Sequence, residues 1–226
     1  MGNYKKSEQT KAIVMETALE LFRAEGFAET TMRQIAKKAG IALGTIYIYF
    51  KSKEELVLEY YQKVQQELLL QTSVDTQKKP YRLEVGLKDF FYLQFKMLEK
   101  DKKFLSALAS AAATPDNPVS PFGKESKHIR KLHMEMLKKI VDNSKTKIHP
   151  KVQKELPELL WFLQMGLIFF WVHDKSKESV KSIEMTDTTV ELIGTFLKIH
   201  NKPFASGLRN SLLKIIKNLV SIVDET

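Results

Sequence analysis

The sequence predicts an all-α protein: an N-terminal head of three helices carrying a helix-turn-helix, then a larger C-terminal helical body. Three observations predict it. Apolar residues recur at three- and four-residue spacing through most of the chain, with no strand-like alternation. Residues 27–53 read as two short helices around a glycine turn. The turn-rich break at 114–121 holds three prolines in eight residues, so helix is forbidden there while helical patterns resume on both sides.

Residues 1–6 are expected to be a tail outside the fold, where Lys5 and Lys6 can reach phosphates. A first helix over 7–25 follows, with Ile13, Val14, Ala18, Leu21 and Phe22 on one stripe. Gly26 ends it and Phe27 turns into the core behind the motif. Thr30 is the expected N-cap of a helix over 31–38, because its hydroxyl can accept from a free amide of the first turn. That helix has a narrow apolar face of Ile35, Ala36 and Ala39, and the small Ala36 admits a close neighbour. Gly40 supplies the positive φ of the turn, and a helix over 42–49 buries Ile46 against the first. A fourth helix over 53–70 is apolar on more than one side, through Leu56, Leu58, Tyr60, Tyr61 and Val64. The domain boundary is therefore expected along it, giving a head of 1–56 and a body of 57–226, with 71–80 as a polar linker.

The body reads as helices over 81–100, 102–113, 122–143, 150–173, 178–199 and 205–223. The first carries Leu83, Leu87, Phe90, Phe91, Phe95 and Leu98; the third directs Ile129, Leu132, Met136, Leu137 and Ile140 inward. The longest uncharged apolar run, residues 159–172, is 14 residues. A membrane span needs roughly 20, so a buried helix and no membrane association are expected. Lys5 and Lys6 lead into an amphipathic helix and not an apolar leader, and there are no cysteines; both fit a cytoplasmic protein.

The second helix of the 27–53 motif is suited to the DNA major groove. Thr45, Tyr47 and Tyr49 carry hydroxyls for phosphate oxygens or base edges, and Gly44 lets a sugar-phosphate backbone come close. Lys51 and Lys53 can pair with phosphates, as can Arg33 near the start of the preceding helix, with Thr31 beside it. The amides of Ser52, Lys53 and Glu54 form an expected anion site. Read from Phe27, the run Thr30-Thr-Met-Arg, Ile35-Ala, Ala39-Gly-Ile, Gly44-Thr-Ile-Tyr and Tyr49-Phe-Lys-Ser-Lys-Glu-Glu-Leu resembles the DNA-binding signature of the TetR family of bacterial repressors. The resemblance covers residues 7–58. It implies a homodimer on a palindromic operator, released when a small molecule binds the body. Ala42 and Leu43 depart from the small hydroxyl and polar residues usual in that pattern, so the family's operator does not carry over; Leu43 is suited to a thymine methyl.

Charge adds little to the DNA argument. The net charge is +9, yet residues 1–56 contribute only +2 and residues 124–154 contribute +7. A run of that kind is usually a solvated helix face. His128, His133, His149, His173 and His200 show no metal-ligand spacing, and no nucleophile elbow, phosphate loop or paired carboxylates appear, so no metal, no cofactor and no enzyme activity are expected. His173-Asp174 is expected to cap a helix end.

The Phe- and Met-rich body helices suit a pocket for a small apolar or amphipathic effector, with Phe91, Phe95, Leu98, Phe104, Leu108, Met134, Leu137, Trp161, Phe162 and Met165 as its expected lining. Phe169, Phe170, Trp171, Val190, Ile193 and Leu197 are the expected dimer interface, since residues 159–172 are apolar nearly all round. The resulting expectation is a DNA-binding regulator, a repressor released by such a ligand. A helical ligand-binding module that no longer reads DNA, and a DNA-binding protein without an effector, are the other readings.

Overall fold

The computed structural model describes residues 2–75, 81–200 and 202–224, with side chains for 6–72, 81–200 and 202–221. The described residues form ten α-helices joined by turns and short 3-10 segments, with one isolated bridge between Tyr81 and Ser144. They divide into two units: residues 1–63 with 100–126, and residues 64–99 with 127–226.

The N-terminal unit holds α1 (Gly2–Ala24), α2 (Met32–Lys38), α3 (Leu43–Tyr49), the first half of α4 (Lys53–Asp75) and α6 (Lys102–Ala112). α1 begins at Gly2, so the expected tail is helical from there on; its buried stripe is Val14, Met15, Ala18, Leu19, Leu21 and Phe22. Ile13 is exposed, contrary to the stripe read from spacing: Met15 and Leu19 take the inward positions. Positive φ at Gly26 and Gly40 turns the chain at the ends of α1 and α2. Residues 100–126 join this unit through a buried polar cluster. The Asp101 carboxylate is buried, accepts from Arg23 Nε at 2.5 Å and from the Tyr60 hydroxyl at 2.9 Å, and so ties the start of α6 to α1 and α4. Phe104 stacks on Phe22 at 5.3 Å and meets Tyr60 edge-on at 5.8 Å.

The α1–α2 connection is closed from a distance. Lys53, the first residue of α4, donates through Nζ to the carbonyls of Phe27, Ala28 and Thr30 at 2.7, 3.0 and 3.1 Å, and its ammonium lies 4.5 Å from the centre of the Phe27 ring. All three protons of the ammonium have protein acceptors.

The C-terminal unit holds the second half of α4, α5 (Leu83–Leu98), α7 (Lys127–Asp142), α8 (Pro150–His173), α9 (Val180–Ile199) and α10 (Ser206–Asp224). α4 runs on to Asp75, so residues 71–75 of the expected linker are helical; residues 76–80 lie outside the described residues. Residues 122–126 form turns, and Leu132 is exposed on α7, where His133 and Met136 point inward in its place. α8 packs with α7, α9 and α10. It is long and apolar enough to cross a membrane, but Val152, Leu156, Leu160, Leu167 and Trp171 are buried in the unit. α5 lies close on α9: a Cβ at Gly194 would stand 2.5 Å from Glu84 Oε1. Tyr92 reaches across to Asp187 at 2.7 Å. Asp174 ends α8 and accepts from the Ser176 amide and from the Ser182 amide and hydroxyl, joining α8 to the start of α9; burial alone would raise its pKa, and these hydrogen bonds hold it well below the usual carboxylate range.

A polar chain crosses the centre of this unit. His133 lies between Gln65 of α4, at 2.6 Å from Nδ1, and Gln164 of α8, at 2.5 Å from Nε2; Gln164 in turn donates to Gln94 of α5. His133, Gln164 and Gln94 are buried. A neutral imidazole has one proton to give, so Nε2–H serves Gln164 and Nδ1 accepts from the Gln65 amide once that amide is flipped. Burial pushes the His133 imidazole from 6.5 down to about 4, against a smaller upward pull from the Gln164 hydrogen bond.

Two outcomes are expected. Lys53→Ala strips three carbonyls of a charged donor, so chemical denaturation should show a loss of about 2 kcal/mol. His133 has a folded pKa below its unfolded one, so its contribution is fully present above pH 6.5 and is lost as pH falls towards 4. The unfolded chain binds the proton first, and the loss reaches on the order of 3 kcal/mol. His200, also shifted downward by burial, adds a slope of the same sign. Denaturant titrations at pH 7, 5.5 and 4.5 should therefore show a shallower acid slope for His133→Gln than for the parent chain.

Candidate nucleic-acid interface and body surfaces

α2 and α3 are each seven residues long; a side chain caps the start of α2, and backbone hydrogen bonds close the end of each. Thr31, not Thr30, is the N-cap of α2: its hydroxyl accepts from the Gln34 amide at 3.2 Å while Gln34 Oε1 accepts from the Thr31 amide at 2.7 Å, a capping box. Thr30 is buried and donates to the Gly26 carbonyl instead. Two adjacent threonines offer the same chemistry, and the glutamine three residues after Thr31 is the signal that separates them. Ile35, Ala36 and Ile46 are buried and seat α3 against α2. Ala42 caps α3 with no side-chain bond.

Ile46 defines the inner side of α3, and at about 100° per residue Gly44 and Ile48 stand within about 20° of the opposite line. Ile48 is 78% exposed and Tyr47 48% exposed. Gly44 is exposed, while Leu43, Thr45 and Tyr49 are half-buried on the flanks. α3 carries no charged side chain; Arg33, Lys37 and Lys51 are exposed around it. This face offers an apolar strip, two flanking hydroxyls and a surrounding of cations, which suits a polyanion with apolar and polar groups between its charges.

Two expected phosphate contacts have partners within the chain. Lys53 is committed to the three carbonyls of the α1–α2 connection. The start of α4 already holds carboxylates: Glu54 and Glu55 lie in its first turn, and Glu55 accepts from the Lys51 amide at 2.7 Å. A phosphate there would meet like charge. Thr31 is exposed but engaged in its capping box. Ile48 was missed by spacing arguments, because an isoleucine among hydroxyl residues reads as a core position; its place four residues after Gly44 was the available signal.

The expected pocket residues do not gather in one unit. Phe104 and Leu108 pack inside the N-terminal unit. In the C-terminal unit Phe91, Leu98, Leu137 and Trp161 are buried, and Phe95 stacks on Trp171 at 5.4 Å, while Met134, Phe162 and Met165 are half-buried. Among the expected interface residues, Trp171, Val190, Ile193 and Leu197 are buried in their own unit. Their spacing shows an apolar face without showing which side of the helix it is. Phe169, at 53% exposed, and Phe170 do face outward. With Phe162, Leu163, Gly166 and Met185 they line an open groove of about 790 Å³ along α8 and α9. Among the described residues no three His, Asp or Glu side chains gather as metal ligands.

Comparison with known proteins agrees with this geometry. Residues 14–60 match the family model of bacterial regulatory proteins of the tetR family, and residues 86–218, more than half of the chain, match the model of the tetracyclin repressor-like C-terminal domain. YerO, a helix-turn-helix transcriptional regulator of Bacillus subtilis, is 35% identical over 112 residues, covering 48% of this chain and 38% of its own length. The chain spans less than half the length of the curated relatives it matches first. The fatty acid degradation regulator FadR of Bacillus halodurans is similar in fold, with a TM-score of 0.61 at 17% identity over 80% of this chain and 93% of that one. FadR of Bacillus subtilis, solved in complex with stearoyl-CoA, is similar with a TM-score of 0.58 at 17% identity, over 80% and 96%. With a helix-turn-helix at its N-terminus, an all-helical body and both family models matched, the chain belongs to the TetR family of bacterial regulatory proteins.

Proposed function

We propose that this chain is a sequence-specific DNA-binding repressor of the cytoplasm, working as a homodimer and released from its operator by a long-chain acyl effector. The observation that carries it is the outward face of α3: uncharged, with Gly44 and Ile48 in line and cations around it. A seven-residue helix reads only a few base pairs, so two heads on half-sites one DNA turn apart, roughly 34 Å, are needed for a specific site. The exposed Phe169 and Phe170 along the α8–α9 groove support that pairing, since an exposed apolar strip of this kind is typical of a covered surface.

The effector reading is supported by two FadR proteins of the same fold, one solved with stearoyl-CoA and one from Thermus thermophilus solved with lauroyl-CoA. It is also supported by the C-terminal unit itself. An interior of Phe, Met and Leu crossed by Gln94, Gln164 and His133 combines apolar wall with a few fixed polar groups, the composition that takes an amphipathic ligand. Release needs only a differential affinity between two conformations; about 3 kcal/mol of coupling lowers operator affinity roughly 150-fold.

Three measurements test this. Selection from a random DNA pool should enrich a palindrome with a salt-dependent affinity. Stearoyl-CoA should weaken that complex, and operator DNA should weaken stearoyl-CoA binding by the same factor; equal stearoyl-CoA affinity with and without operator removes this mechanism for that ligand. In sedimentation, Phe169→Glu should give a folded monomer where the parent chain is a dimer, while Trp171→Glu, at a side chain 1% exposed, should give an unfolded chain.

A further inference from the structure

Gly44 and Ile48 are two departures from what a short, exposed helix face would choose for its own stability. Glycine inside a helix is unfavourable relative to alanine, and a β-branched side chain loses rotamer freedom there. Neither is needed by the chain. A Cβ on Gly44 would meet nothing within 4 Å, and the residue has no positive φ. Ile48 buries little of its surface. The two lie in line on the side of α3 opposite Ile46, so together they make a smooth strip: a notch one turn before an apolar knob.

We infer that Ile48 reads thymine: its side chain packs on the C5-methyl groups of thymines in the major groove, and Gly44 provides the clearance that lets α3 sit deep enough for it. This rests on the DNA-binding reading above and adds to it the base that the face prefers. The C5-methyl is the apolar group on base-pair edges in that groove, where the other edge groups are hydrogen-bond donors and acceptors. A phosphate has nothing to gain from an isoleucine. Leu43, the thymine contact expected from sequence, is half-buried on the flank and gives way to Ile48. Tyr47 and Thr45, on either side of the strip, are placed to bond the neighbouring backbone or polar base edges.

The test uses the full chain and the site enriched from the random pool. Each thymine is replaced in turn by deoxyuridine, which lacks only the methyl group. At one or two positions per half-site the parent chain should lose about three- to tenfold in affinity. Ile48→Ala should lose a similar amount on the methylated site and be indifferent to the same deoxyuridine, whereas Tyr47→Phe should keep the methyl sensitivity. Gly44→Ala should raise the melting temperature while lowering affinity, since it favours the helix and fills the notch. Ile48→Ala removes an exposed side chain, and a melting temperature no lower than the parent's checks that it is folded. An enriched site at which no deoxyuridine matters, or an Ile48→Ala chain as methyl-sensitive as the parent, overturns the thymine inference alone. A pool that enriches no sequence overturns the DNA reading and this inference together.

Discussion

A seven-residue helix does not stand alone in water. Nucleation costs more than so few hydrogen bonds return, and isolated helices below about 12 residues are marginal. α2 and α3 are both of that length, so their order is tertiary in origin. Ile46 seated on Ile35 and Ala36 sets the rotation of α3 about its own axis, and that rotation decides which residues face outward. The capping box at Thr31 and the Lys53 ammonium on three carbonyls hold the segments on either side. A rotation of one residue, about 100°, would bury Gly44 or Ile48 and present a different face altogether.

The C-terminal unit solves a different problem. Its helices are long enough to form, and α8 is apolar nearly all round, so hydrophobic burial alone would tolerate several ways of packing them. The chain of Gln65, His133, Gln164 and Gln94 narrows the choice, because a buried amide or imidazole without its partner is costly, and the packing seen here gives all four their partners. Asp174 does the same at the α8–α9 corner, where its carboxylate accepts from the Ser182 amide and hydroxyl and fixes how α9 starts.

Sequence reasoning succeeded where structure is local. Helix existence and most helix ends followed from three- and four-residue spacing and from turn chemistry at Gly26, Gly40 and the 114–121 prolines. It failed where a residue's partner is distant. The Lys53 ammonium faces carbonyls more than twenty positions earlier, and nothing near Lys53 announces that. It failed also where an apolar residue is not a core residue: Ile13 and Leu132 share the spacing of buried neighbours and are exposed. On α8 the reverse held. Trp171 and Phe169 are equally apolar in sequence, and only packing shows that one is core and the other surface.

The membership of residues 100–126 in the N-terminal unit has a consequence for modularity. The chain passes between the units at 63–64, again at 99–100 and a third time at 126–127, so the unit that carries the helix-turn-helix is assembled from two separated stretches of sequence. A fragment ending at residue 63 would lack Asp101 and Phe104, leaving the Arg23 guanidinium, the Tyr60 hydroxyl and the Phe22 ring without the groups that cover them. A single crossover within α4 would exchange only part of this unit. Recombination of heads between relatives is therefore constrained to pairs in which the inherited α6 already fits the incoming α1.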